Sequence, residues 1–320
     1  MSSVAVTSRV TSRKRSSFAR EEALYGYLFL APWLIGLTVF VLGPMIASVG
    51  LSFTVYGIVK APEFVGLDNF TRMFTNDVQF WPSIGKTLMW AITFVPLAIV
   101  GALMVALLLN QGLKFTNIYR TLFFLPHLFP VVASIYIWTW LLHPKFGFVN
   151  EAWWQLTYTI LGAGIEGPMW LGTKEWVIPS LVIIALWGAI GGNGMMIFLA
   201  GLQGVPKELY EVAEMDGANA LQRFFNITLP MISPTLFFNL VLGLISALQA
   251  FENAFVATAG GPAYATYFYA LHIYTTAFKF GEMGYGSALA VFSFVALVTL
   301  TWLNFRLSRR WVYYAGEVKE

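Results

Sequence analysis

The side chains that could do polar chemistry in this chain are few and far apart. Glu252 stands inside an apolar run, with Gln249 and Asn253 at neighbouring helical positions and Phe251 and Phe255 beside them. A charge at mid-membrane costs about 2.5–3.5 kcal/mol on insertion scales, so an acid kept there calls for a use. Carboxylates and amides take hydroxyl groups in paired hydrogen bonds, and flat rings meet C–H faces, which together suit a polyhydroxylated solute. The plainer reading is that Glu252 sits near a membrane surface and only caps or pairs locally. Trp187 and Asn193 add a ring and an amide within a glycine cluster, Gly188, Gly191, Gly192 and Gly194. Those glycines either let helices pack closely or open a break where Asn193 and bare backbone line a cavity. His127, between Pro126 and Pro130, is a packing residue at a kink or a member of the same path.

Catalytic sets are missing. Gly85-Lys86-Thr87 imitates the end of a phosphate-binding loop, but Phe80 stands where its first glycine is required. His127, His143 and His272 lack metal-ligand spacing, and neither HExxH nor GxSxG occurs. With no cysteine there is no disulfide or thiol chemistry. No metal, no cofactor and no nucleic-acid partner is expected.

The elements that must carry these residues are membrane spans. Charged residues make up 11% of the chain and hydrophobic ones 58%, against about 25% charged in soluble domains. After a polar, basic tail over residues 1–22, expected to be disordered, the apolar run Leu24–Phe53 is too long for a signal core of about 7–15 residues. It exceeds the roughly 20 residues that cross a bilayer, so it should tilt or bend at Pro32 or Pro44. Five further apolar segments follow: Thr87–Leu113, Thr121–Leu142, Val177–Leu202, Met231–Thr258 and Ser287–Leu307. The organisation expected is a first span at 23–54, an outer segment at 55–86, a five-helix core at 87–308 and a terminal tail at 309–320.

Six spans put both termini on one side. With a cytoplasmic N-terminus, thirteen basic residues fall inside: Arg9, Arg13, Lys14, Arg15, Arg20, Lys114, Arg120, Lys207, Arg223, Arg306, Arg309, Arg310 and Lys319. Six fall outside: Lys60, Arg72, Lys86, Lys145, Lys174 and Lys279. That imbalance selects a multi-pass membrane protein with both termini cytoplasmic. Among the outer tryptophans, Trp153, Trp154, Trp170 and Trp176 suit either an interfacial belt or a contact surface for an extracytoplasmic protein.

One stretch, Val205–Pro234, is too polar to lie in lipid. Pro206 suits a first helical position, and Glu208 and Glu211 favour the positive end of that helix. Leu209, Val212, Ala213 and Asp216 recur at helical spacing and form a mostly apolar stripe. Gly217 ends the helix where a left-handed residue is needed, and Ala218–Asn226 can start a second one before Pro230 and Pro234. A two-helix knuckle follows.

Glu211, Val212, Ala213, three residues, Gly217, nine residues, then Ile227, Thr228, Leu229, Pro230 resembles the EAA loop of the membrane subunits of binding-protein-dependent ABC importers. Val212 departs from the alanine usual there. The segments around Phe64–Phe70 and Pro144–Asn150, the Gly260-Gly261-Pro262 turn and Arg309–Gly316 look like those of the carbohydrate branch, which includes maltose and glycerol-phosphate permeases. The resemblance implies an all-α, six-span type I importer permease fold with a cytoplasmic coupling loop over residues 205–230. It implies as partners an ATP-binding cassette ATPase dimer, a second, related permease subunit, a solute-binding protein and the lipid bilayer, with ATP hydrolysed on the ATPase rather than here. The ATPase-coupling residues would be Glu211, Ala213, Glu214, Asp216, Gly217, Ile227, Leu229 and Pro230. The substrate path would hold Gln249, Glu252, Asn253, Trp187 and Asn193. The competing reading, an ion-gradient-driven transporter, needs an ionisable relay for which only Glu252 and the histidines offer pieces.

Overall fold

The structure is a computed structural model and describes residues 17–57, 61–112 and 114–313. Residues 1–16 of the basic tail, Lys60, Leu113, Lys319 and the end of the Arg309–Gly316 segment lie outside them.

Three helices are long and apolar enough to cross a membrane, Arg20–Leu51, Phe80–Leu109 and Met283–Ser308. Three helix pairs pass the same test together, bent by 92°, 51° and 66° at short breaks, giving six spans if each pair counts once. The first span joins α1 (Ser17–Leu37) to α2 (Gly43–Leu51) through a π-helical turn, Thr38–Leu42. That widened turn directly precedes Pro44, whose ring and missing N–H do not fit an α-helical ladder, whereas Pro32 lies in unbroken helix. The span buries none of its most apolar window against the rest of the chain. Side chains such as Phe29, Phe40 and Ile46 are exposed, as lipid-facing groups must be.

The segment that follows is folded. A hairpin pairs β1 (Thr54–Val55) with β2 (Glu63–Phe64), and α3 (Asp68–Thr75) leads into α4 (Phe80–Leu109). Then come α5 (Thr116–Leu128) and α6 (Val131–Leu141), the 92° pair, and α7 (Phe148–Leu161). Next are α8 (Lys174–Ala189) and α9 (Asn193–Gln203), the 51° pair. The polar stretch holds α10 (Lys207–Met215), α11 (Ala220–Arg223) and α12 (Leu229–Met231), and α13 (Ser233–Leu248) departs from it. The chain closes with α14 (Glu252–Thr258), α15 (Tyr269–Tyr274) and α16 (Met283–Ser308).

The expected fifth span, Met231–Thr258, is corrected here. Its long helix ends at Leu248, Phe251 leaves helical geometry at φ −125°, ψ −55°, and α14 begins separately at Glu252. Gln249, Glu252 and Asn253 therefore do not share one helical stripe.

α4 is the axis of the packing. Its 30 residues span about 45 Å at 1.5 Å per residue. Phe80, at its start, packs with Met73, Tyr269, Tyr285 and Leu289. Trp90, Ala91 and Val95, further along, join α8 and the segment that holds Phe268 and Leu271. Ala102, Leu103, Ala106 and Leu109, at its end, join α9 and the partly buried Tyr210, Phe224 and Ile227 of the knuckle. Three clusters in series thus place the knuckle and the Phe80 cluster at opposite ends, with the middle of the bundle between them.

Candidate functional site

A cavity of about 600 Å³ lies beside the middle of α4. Its wall gathers residues at three helix breaks. Pro130 drives Phe129 to extended geometry (φ −68°, ψ 138°) and turns α5 sharply into α6. Gly191 and Gly192 interrupt α8 and α9, where a Cβ on Gly191 would fall on the Phe123 carbonyl and one on Gly192 would come within 2.7 Å of His127 Nδ1. These glycines admit α5 closely and mark a break, but the break does not bring Asn193 onto the cavity wall. The third break is Gln249–Phe251.

Gln249, Glu252 and Asn253 all line this cavity, together with His127, Ser134, Ser246, Trp90, Phe94 and Phe129. Glu252 and Asn253 open α14, where an acidic side chain is favoured by the positive end of a helix. Glu252, Gln249, Ser246 and His127 are exposed, so the polar wall is open rather than packed against this chain. Trp187 stands off the wall: its ring packs behind it, 5.8 Å from Phe129 and 6.0 Å from Trp138. Asn193 opens α9, exposed, and also lies outside the lining.

The knuckle has the predicted helix-turn-helix form. Pro206 takes the position just before α10 rather than its first turn. At the other end Gly217 adopts φ +79°, its N–H donates to the Glu214 carbonyl at 3.0 Å, and the Ala218 N–H donates to the Ala213 carbonyl at 2.9 Å. These two bonds satisfy carbonyls that the helix end leaves open, and they need a left-handed residue between them. Asn219 then caps α11 reciprocally with Gln222, and Arg223 pairs with Glu214 across the turn. Tyr210 bonds Thr228 through their hydroxyls at 2.9 Å, tying α10 to the segment before α12. Ile227 is packed into the end cluster, with Leu229 and Pro230 half-buried beside it. Glu211 and Asp216 are exposed and Ala213 is half-buried. Of the stripe predicted for α10, Leu209 and Val212 are 41% and 52% exposed, Asp216 is exposed and Ala213 is half-buried; Met215, next to it, is 82% exposed.

A polar network at the opposite end of α4 escaped sequence reasoning. Asp77 accepts from His272 Nε2 at 2.8 Å and from the Tyr285 hydroxyl at 2.6 Å through one oxygen, and from the Gln79 and Phe80 amides through the other. With Nε2 donating, His272 Nδ1 faces the Tyr267 hydroxyl at 3.3 Å as acceptor. Arg72 pairs with Glu282 at 2.8 Å and lies over the Tyr285 ring. Burial pushes the Asp77 carboxyl up, but the hydrogen bonds it accepts from Tyr285, the Gln79 amide and His272 outweigh it and hold the group below its ordinary value. Thr87, the last residue of Gly85-Lys86-Thr87, accepts the Tyr269 amide at 2.8 Å and fixes α15 to α4. His143 stacks on Phe146, far in sequence from this network. Among the described residues no group of three or more His, Cys, Asp and Glu could hold a metal ion.

The family of binding-protein-dependent transport system inner membrane components matches residues 98–313. This chain belongs to that family. The permease is 38% identical over 307 residues to the probable ABC transporter permease protein YesP of Bacillus subtilis (strain 168), covering 95% of this chain and 96% of that one. It is 33% identical to the sulfoquinovosyl glycerol transport system permease protein SmoG of Agrobacterium fabrum, over 90% and 91% of the two chains. It is 32% identical to the trehalose/maltose transport system permease protein MalF of Thermococcus litoralis, over 92% and 97%. A chain of a bacterial ABC transporter involved in the import of the acidic polysaccharide alginate superposes with a TM-score of 0.77 at 26% identity, covering 93% of this permease and 99% of that chain. The permease is thus a multi-pass membrane protein of a binding-protein-dependent system, with the importer permease fold.

Proposed function

We propose that this permease is the membrane subunit of an ATP-driven importer of a carbohydrate, supplied by an extracytoplasmic solute-binding protein. The observation that carries the reading is the 600 Å³ cavity at three helix breaks, where Gln249, Glu252 and Asn253 face aromatic side chains. Polar groups at mid-bundle are costly unless they serve a path, and amides beside flat rings are the chemistry that holds sugars. Relatives named for trehalose/maltose, lactose and arabinooligosaccharide transport support the solute class.

The exposed knuckle is the coupling element of this reading. An ATPase dimer sits against α10 and α11, with Leu209, Val212 and Met215 supplying apolar contact and Glu211 a polar one. Gly217 makes the turn, the Glu214–Arg223 pair stiffens it, and Ile227, Leu229 and Pro230 carry its movement into the end cluster and α13. Ala213 permits close docking, and the exposed Asp216 at the end of α10 offers a second polar contact. The excess of basic residues at this end puts the knuckle and both termini in the cytoplasm. A second, related permease completes the pair around the path. ATP closes the ATPase dimer, and the spans alternate between inward- and outward-facing states; each state is held by different contacts, since a partner that binds both equally shifts nothing.

The test is uptake into vesicles holding the complete transporter. ATP-dependent carbohydrate uptake that falls at least tenfold in Asn253→Ala and Gln249→Ala, with unchanged membrane content, is expected. Uptake that survives ATP depletion and collapses with an ion gradient would replace this account with a gradient-driven one.

A further inference from the structure

The polar wall of the cavity carries an uneven charge. Of the residues that line it, Glu252 and His127 alone can titrate, and Glu252 supplies its one carboxylate. Neither lysine nor arginine is on the lining, and among the described residues Glu252 has no salt-bridge partner. Lys279 does not balance it: its ammonium lies 5.6 Å from the Phe255 ring centroid and is absent from the wall. Glu252 is exposed to the cavity and opens α14 at the break, so its charge acts on whatever enters.

We infer that Glu252 is a charge filter: the cavity favours neutral or cationic hydroxylated solutes and disfavours anionic ones such as uronates, sugar phosphates and sulfonates. This rests on the cavity being the solute path. A carboxylate can accept two hydroxyl hydrogen bonds from a neutral sugar, whereas an acidic sugar meets like charge in a partly enclosed space with low-dielectric walls, where fields are focused. The neutral neighbours Gln249, Asn253, Ser246 and Ser134 bond either kind of solute and do not offset the repulsion.

The absence of native cysteine allows a direct test that does not require the solute to be known. Ser246→Cys places a single thiol of this chain on the wall, in the complete transporter in native membranes. Methanethiosulfonates of matched size, one carrying a quaternary ammonium and one a sulfonate, are timed against it and against a free thiol. The expected cation-to-anion rate ratio exceeds the free-thiol value by roughly tenfold, the effect of one unit charge a side chain's length away in partly screened water. Glu252→Gln brings it back to the free-thiol value, and Glu252→Asp keeps it raised. A ratio at or below the free-thiol value in the Ser246→Cys protein overturns the filter, whether or not the glutamine variant folds. Failure of both reagents at Ser246→Cys and at Asn253→Cys overturns instead the open path on which the inference rests.

Discussion

Replacing Gly217 isolates the turn of the knuckle from everything else. No heavy atom lies within 4 Å of the Cβ that a side chain would add there, so the substitution introduces strain without a clash. The strain comes from φ +79°, which costs a residue with a side chain about 1–2 kcal/mol, more when it is β-branched and least for asparagine. It falls on the two bonds that close α10, Gly217 to Glu214 and Ala218 to Ala213. At about 2 kcal/mol the correctly turned population drops roughly 30-fold relative to its alternatives. The series Gly217→Asn, Gly217→Ala, Gly217→Val is therefore expected to lose function in that order while leaving the spans intact. The assay is retention of the ATPase on tagged permease purified from membranes, with solute-stimulated ATP hydrolysis measured on the same preparations. Equal ATPase retention and stimulation across the series would refute the reasoning, as would loss of the valine variant from the membrane.

Three further perturbations probe the rest of the molecule. Asp77→Ala leaves the buried His272 and the Tyr285 hydroxyl without their acceptor, and should cost about 3 kcal/mol, read as a lower thermal unfolding temperature in detergent. Because the folded Asp77 carboxyl is held below its ordinary value, its contribution is complete above the usual carboxylate range of about pH 4 and is lost as pH falls through the folded value. The stability gap between wild type and Asp77→Ala should thus shrink as pH falls below about 4; a gap that widens there would contradict it. Gly191→Ala puts a Cβ on the Phe123 carbonyl and should destabilise the solubilised protein by about 1–3 kcal/mol, whereas Gly188→Ala, 3.8 Å from the nearest carbonyl, should stay near wild type.

The knuckle was readable in the sequence because its signals are local. Pro206, Gly217, Pro230 and Pro234 punctuate a polar run, and each acts on its own turn. The spans were readable for the same reason, through continuous apolarity. The break at Gln249–Phe251 was not, since no proline or glycine marks it and the run stays apolar around it; only Glu252-Asn253, an acidic and amide pair suited to a helix start, hinted at it. The cavity residues were found through the cost of polarity in a span, although two of the five, Trp187 and Asn193, lie off its wall. Trp187 lies beside the glycine cluster, of which Gly188, Gly191 and Gly192 approach α5 and Gly194 approaches α13 and α4. The Asp77–His272–Tyr285 network left no trace, because its members lie 195 and 208 residues apart and meet only when α15 and α16 pack on the start of α4.

The central claim is that an ATPase works on the knuckle. Met215 is the place to ask, being 82% exposed on α10 and, unlike Glu214, free of the ion pair to Arg223. A photoreactive residue at that position, activated in native membranes that are taking up solute, should capture an ATP-binding cassette ATPase, identified by mass spectrometry, and lose that capture in Gly217→Val. Membranes with active uptake and full permease content but no ATPase adduct would contradict the account.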